Sequence, residues 1–436
     1  MHGQNLILRN KIPGPETIKG YTLPNGISLL CFSNMATESI FLVGLLDSGS
    51  SYDVQEKLGL AHFTAAMLIR GTVQHNFREI HNYLESAGAS LGFNSGVENT
   101  WFRGRALATD LPLLMDILSS CLRNPTFPPE YTERLRGQLL ASLAIRDQDT
   151  AEVASLEYDR ILFDQHPYGR PVDGTKETIT RITLEDIFTF HKKYYGPRNA
   201  VIVITGAMQA DKMAAEVKKS LGDWENPHQP FPKSLPKIKH LHKTVCKHIQ
   251  IPKKSQTDLV LGTLGPQRTS PDYMPAFIGN HILGQFGLMG RIGETVRKQA
   301  NIAYHASSSL NAWSKAGSWE FVAGVNPNNL ITAIDLIKQE IQKFIIEPVS
   351  ELELSDSASH LIGRLPISLE SNAGVANAIL TMERFKLGLD YYQKYPGLLK
   401  GVSAEQILET ARRYLHPEKL VIVSAGSNTN REKHEN

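Results

Sequence analysis

The sequence predicts an α+β fold made of two homologous repeats, each an antiparallel-rich sheet packed by helices on one face, with a proline-rich linker between them. Three observations predict it. Residues 183–206 align without a gap on residues 403–426, an offset of 220 positions in a chain of 436. In each copy a Thr or Ser suited to cap a helix opens a helical pattern that ends near Tyr, followed by a proline turn and a Val-Ile-Val strand closed by Gly. A fainter echo pairs residues 111–116 with 330–335, each after a strand bearing Trp101 or Trp319. Finally, residues 226–236 read Asn-Pro-His-Gln-Pro-Phe-Pro-Lys-Ser-Leu-Pro, a stiff and extended spacer. The expected domains are therefore 1–225 and 239–436, with the linker at 226–238.

Taken in order, residues 21–32 give two short strands around Pro24-Asn25-Gly26, a turn in which Asn and Gly tolerate positive φ. The apolar run 39–46 suits a central strand. Residues 60–72 show helical spacing of Leu60, Phe63, Ala66, Met67 and Ile69, with Gly71 as the stop. A helix at 76–86 and a hairpin at 89–95 and 99–107 follow. Asp110 as N-cap and Pro112 in the first turn announce a helix through Leu122, and Pro128 opens another through Ser142.

Composition bounds the function. With 41% hydrophobic and 21% charged residues the chain reads as an ordinary soluble protein, long enough for two or more domains. Its 46 basic and 44 acidic residues leave a net charge of +2, dispersed rather than striped, which argues against nucleic acid and for peptides or proteins as partners. No secretory leader or membrane span is expected. Cys31, Cys121 and Cys246 are odd in number and far apart, so the expectation is small buried side chains in a reducing cytoplasm.

The chemistry is concentrated around His62. A zinc peptidase built on one helix needs two imidazoles a turn apart and a carboxylate to take a proton from the metal-bound water. From His62 this chain reads His-Phe-Thr-Ala-Ala. The flanking Gly59-Leu-Ala-His and Arg70-Gly-Thr resemble the inverted zinc helix of the pitrilysin and insulinase peptidases and of the mitochondrial processing peptidase. The resemblance implies that Ala65 stands at the base position, Ala66 at the second ligand and Ser142 at the third. Those side chains hold no ion, so no metal is expected in this chain.

The second constellation is residues 283–304, where Leu283-Gly284, Arg291, Arg297 and Tyr304 match the same family and Gly290 replaces its usual Ser. The resemblance implies that Arg297 and Tyr304 donate hydrogen bonds to the carbonyl beside the scissile bond. In bacterial two-subunit relatives one chain carries zinc and the other carries this Arg and Tyr, and this chain resembles the second kind. It further implies a clamshell half that encloses unfolded peptide, a zinc-bearing paralogous partner, and an edge strand at Gly92, Phe93, Asn94 and Ser95 that takes substrate as an added strand.

Other candidates weigh less. His240, His242, Cys246 and His248 could share one face of a strand, but without the turn that gathers ligands a half-exposed strand is the plainer reading. His166 reads as structural. Two rivals remain: a catalytically silent scaffold like the core subunits of respiratory complexes, and an autonomous metallopeptidase with unrecognised ligands, which Ala65, Ala66 and Ser142 disfavour.

Overall fold

The computed structural model describes residues 12–232, 234–287 and 290–427. The first repeat gives strands β1 (Ile18–Thr22), β2 (Ser28–Ser33) and β3 (Ser39–Leu46), helices α1 (Leu60–Met67) and α2 (Phe77–Ser86), and strands β4 (Ser90–Ser95) and β5 (Thr100–Leu107). Helices α3 (Leu111–Arg123), α4 (Pro129–Arg146), α5 (Thr150–Leu162), α6 (Lys176–Arg181) and α7 (Leu184–Tyr194) follow, then β6 (Val201–Gly206) and α8 (Ala210–Leu221). The second repeat gives β7 (Val245–Gln250), β8 (Thr257–Gly265), α9 (Tyr273–Gly284), α10 (Gly290–Ile292) running into a π-helical segment (Gly293–Gln299), β9 (Ala303–Ala312) and β10 (Gly317–Val325). It closes with α11 (Leu330–Ile346), α12 (Glu351–Ser368), α13 (Asn372–Arg384), α14 (Tyr391–Lys400), α15 (Ala404–Tyr414) and β11 (Val421–Gly426).

The two aligned segments fold alike for a local reason. The Asp186 N–H donates to Thr183 Oγ1 and the Gln406 N–H to Ser403 Oγ, both at 3.2 Å, and each residue at the third helical position bonds back to the cap. Helices α7 and α15 then lead to β6 and β11, whose six residues are buried in each case. Asp110 departs from expectation. It ends a short 3₁₀ turn and its side chain caps nothing, so α3 relies on its first-turn proline.

The first sheet runs β1-β2-β6-β3-β5-β4 and the second β7-β11-β8-β10-β9. In both, the buried central strand is parallel to one neighbour and antiparallel to the other. The α+β architecture expected from the repeat is thus present. Helices cover each sheet on one face, and at the centre the opposite face is covered as well.

That second cover explains why the compact units are discontinuous in sequence. Unit 1 takes residues up to 143, 171–234 and 364–394, and unit 2 takes 144–170, 235–363 and those from 395 on. The chain passes between them at 234/235, inside the 226–238 segment, but each unit also holds a helix from the other repeat. Helix α13 lies on β3 and β6, and α5 lies on β8 and β11. Ile202 and Ile204 join the main core of unit 1 while Val201 and Val203, turned the other way, lie under α13. A Val-Ile-Val strand without polar alternation is what burial on both faces requires.

Polar contacts fasten each of these helices at its N-terminus. Thr205 Oγ1 donates to the Asn372 carbonyl at 2.7 Å, and Asn372 Nδ2 donates to the Ser39 carbonyl at 3.1 Å and to Thr37 Oγ1 at 3.0 Å. In unit 2 the Thr150 hydroxyl donates to the Asp258 carboxylate. Cys31 and Cys121 are buried as expected, whereas Cys246, on the edge strand β7, is exposed. Among the described residues no helix is long and apolar enough to cross a membrane.

Candidate functional site

In unit 1, α1 starts on a buried carboxylate. Asp53 accepts from the Gly59 N–H at 2.9 Å and the Ala61 N–H at 3.0 Å, supplying the orphan donors of the first turn. Gly59 sits at φ +91°, and a Cβ there would come within 2.7 Å of Ile179. Phe63 and Met67 enter the core, and His62 on the next face is half-buried. Burial lowers the pKa of His62, an effect that the Asp173 charge and a hydrogen bond with Asn94 oppose.

The positions implied for zinc chemistry do not fit an ion. Ala65 is fully buried, Ala66 half-buried, and Ser142 on α4 is exposed to solvent. One imidazole, two methyl groups and a hydroxyl lack the three ligands that such a centre needs. Among the described residues no group of three or more His, Cys, Asp or Glu side chains is arranged to hold a metal. The same holds for the histidine-rich stretch. His240 and His242 precede β7, and His248 Nδ1 is instead 2.9 Å from Ser424 Oγ. His166 is structural, accepting the Tyr168 N–H on Nδ1 at 3.1 Å.

Gly92, Phe93, Asn94 and Ser95 lie on β4, the outermost strand of the first sheet, paired only with β5. One side of this strand therefore presents backbone donors and acceptors without a strand partner. Asn94 does more than the sequence suggested, since it ties this strand to His62 on α1.

In unit 2 the backbone turns irregular where Arg297 and Tyr304 stand. Arg297 belongs to the π-helical segment, in which the Ala300 N–H reaches the Thr295 carbonyl at 3.1 Å. Its guanidinium is exposed and has no ion-pair or hydrogen-bond partner among the described residues. Asn301 then adopts a left-handed conformation, φ +52°. Strand β9 opens with a bulge, for Gly324 faces His305 but Val325 faces Ala303, and Tyr304 is the extra residue. Tyr304 is 64% exposed. Such π segments and bulges recur at functional sites, where they re-aim side chains.

Sequence reasoning missed the partner of Arg291. Its guanidinium grips the Glu353 carboxylate with two bonds of 2.7 Å, Nε to Oε1 and Nη2 to Oε2. Arg291 appeared in the sequence only as a matching position, and 62 residues separate it from Glu353. Ser350-Glu-Leu-Glu353 does carry a capping-box signature, which marks Glu353 as a helix-start residue and says nothing about Arg291.

Comparison with known proteins gives the family. Residues 33–176 match the model described as insulinase (peptidase family M16), and residues 181–361 match the peptidase M16 inactive domain. An uncharacterised zinc protease of Streptomyces coelicolor is 22% identical over 84% of this chain and 80% of its own length. A Pseudomonas fluorescens structure described as a peptidase M16 inactive domain has a TM-score of 0.87 at 26% identity, covering 94% of this chain and 98% of that one. A Helicobacter pylori protease shares the fold with a TM-score of 0.88 at 18% identity, over 95% of this chain and all of that one. With both halves of the chain matched by models of one family, the chain belongs to the insulinase (M16) peptidase family.

Proposed function

We propose that this chain is the zinc-free subunit of a bacterial two-subunit peptidase. It supplies Arg297 and Tyr304 in trans to a zinc-bearing paralogue and offers β4 as an edge for unfolded peptide. One observation carries the reading: the backbone around Arg297 and Tyr304 leaves both side chains exposed, while the zinc positions hold Ala65, Ala66 and Ser142. A guanidinium and a phenol are both donors, suited to a carbonyl oxygen as negative charge grows on it. The three unpaired cysteines accord with work in a reducing cytoplasm.

The test mixes this chain with the paralogue and follows cleavage of an unfolded peptide. The mixture should cleave, neither chain alone should, and Arg297→Ala should lower kcat/KM by about 100-fold. Metal analysis of this chain alone should find zinc well below one equivalent. Full activity in the Arg297→Ala mixture overturns the donor role.

The matched inactive-domain model favours a second reading, a catalytically silent peptide-binding scaffold. Under it, Arg297→Ala and Tyr304→Phe leave the rate of any assembled complex unchanged.

A further inference from the structure

Just before the segment bearing Arg297, one side chain ties the backbone laterally to a neighbouring helix. Arg291 in α10 lies two residues before the π segment begins. Its guanidinium binds Glu353 of α12 through both carboxylate oxygens and lies 5.6 Å from the ring centre of Phe344 in α11. Glu353 is itself immobilised, because Oε2 also accepts the Ser350 N–H at 3.0 Å and the Ser350 hydroxyl at 2.8 Å. Arg291 first, and then Ser350, hold its carboxyl down at about 2.

Packing fixes only one side of the same region. A cavity of about 280 Å³ opens there, lined by Arg291, Glu294, Thr295, Glu340, Glu353 and Ser357. The buried Ser357 hydroxyl, which lines it, has no hydrogen-bond partner among the described residues. Ile292 and Val296 enter the core, whereas Glu294 and Thr295 face the gap. The first turn of the segment therefore stands partly over open space, with a two-bond ion pair as a lateral tie. A bidentate guanidinium–carboxylate pair fixes orientation as well as distance.

We propose that Arg291 and Glu353 are positioning residues for Arg297, the pair that sets where its guanidinium meets the peptide carbonyl. The proposal rests on the donor reading given above. Neither residue touches substrate. Displacing a catalytic donor by about 1 Å costs up to 100-fold in rate, so losing the tie acts through Arg297.

The experiment is a mutant cycle in the complex with the zinc-bearing paralogue. Arg291→Ala should lower kcat by about 10- to 100-fold with little change in KM. Glu353→Gln should do the same, and Arg291→Lys, which keeps the charge but not the fork, should fall between. In an Arg297→Ala background, Arg291→Ala should cost nothing further, because the group it positions is gone. Multiplicative losses, or full activity in folded Arg291→Ala and Arg291→Lys, overturn the proposal. If Arg297→Ala itself is silent, it is the donor reading that fails. Should Arg291→Ala not fold, Arg291→Lys and Glu353→Gln carry the cycle.

Discussion

His305 and Asp258 face each other at 3.9 Å across Gly324, three residues in one row on three neighbouring strands. Ladder strands are about 4.8 Å apart, so a side chain on the middle strand would separate the outer two. Glycine leaves that space to the imidazole. A Cβ at position 324 would lie 2.5 Å from His305 Cε1 and 2.6 Å from Gln256 Nε2. The row also explains the bulge. Ala303 and Ala306 both pack on the core of unit 2, which strict alternation forbids, and the extra residue Tyr304 restores the phase before His305 turns to the opposite face.

Gly324→Ala should therefore destabilise the chain by about 1–3 kcal/mol, the usual cost of overpacking. The same substitution in a His305→Ala background should cost less, because the clashing ring is absent. Urea denaturation of the two backgrounds measures the difference, and equal costs would show that the imidazole does not occupy the row.

Asn372 is the fastener of the helix that unit 1 takes from the second repeat. It links α13 to β3, β6 and the Asn34 side chain, whose Nδ2 donates to Asn372 Oδ1 at 2.8 Å. Asn372→Ala leaves the Thr205 bond to the backbone carbonyl but strips the Ser39 carbonyl and Thr37 of a donor, at a cost of about 2 kcal/mol. Thr205→Val removes one bond and should cost about 1 kcal/mol. Both should shift the urea midpoint at unchanged slope; a changed slope for Asn372→Ala would mean that α13 detaches instead.

How much of this was legible in the sequence depended on range. The repeat was readable because Thr183 and Ser403 cap by local hydrogen bonds, and the 39–46 strand matches β3 residue for residue. Reciprocal helix placement was not readable, since α5 and α13 carry no mark of which sheet they cover. Their partners, Asp258 for Thr150 and Ser39 for Asn372, are 108 and 333 residues away. At the site, a missing ligand such as Ala66 shows in the letters. A bulge at Tyr304 or a π turn at Arg297 depends on strand register and helix phase, which no spacing rule encodes.

The cysteines divide two to one. Burial pushes the Cys31 and Cys121 thiols up to about 12, whereas Cys246 is exposed on β7. A thiolate reagent at pH 8 should modify one thiol per chain quickly and the other two only after urea. Peptide mapping should find the label on Cys246, and rapid labelling of Cys121 would contradict the packing of α3.

The exchanged helix of unit 2 also predicts a pH dependence. Asp159 on α5 is desolvated and feels the charge of Glu320 on β10, and both effects raise its carboxyl well above the ordinary range. A carboxyl raised in the folded state binds its proton more tightly there than in the unfolded chain. Its contribution to stability is therefore complete below the unfolded value of about 4 and is lost as pH rises through the folded one. Asp159→Asn has no proton to lose. The variant should match wild type in denaturation at pH 4 and exceed it at pH 8, and a variant weaker at pH 8 would show that the ionised carboxylate is stabilised by partners rather than stranded. Glu320→Gln is the poorer probe. Glu320 is raised by burial too, but it accepts from Ser318 and, at 2.8 Å, from Asn311, so the amide would disturb bonds as well as charge.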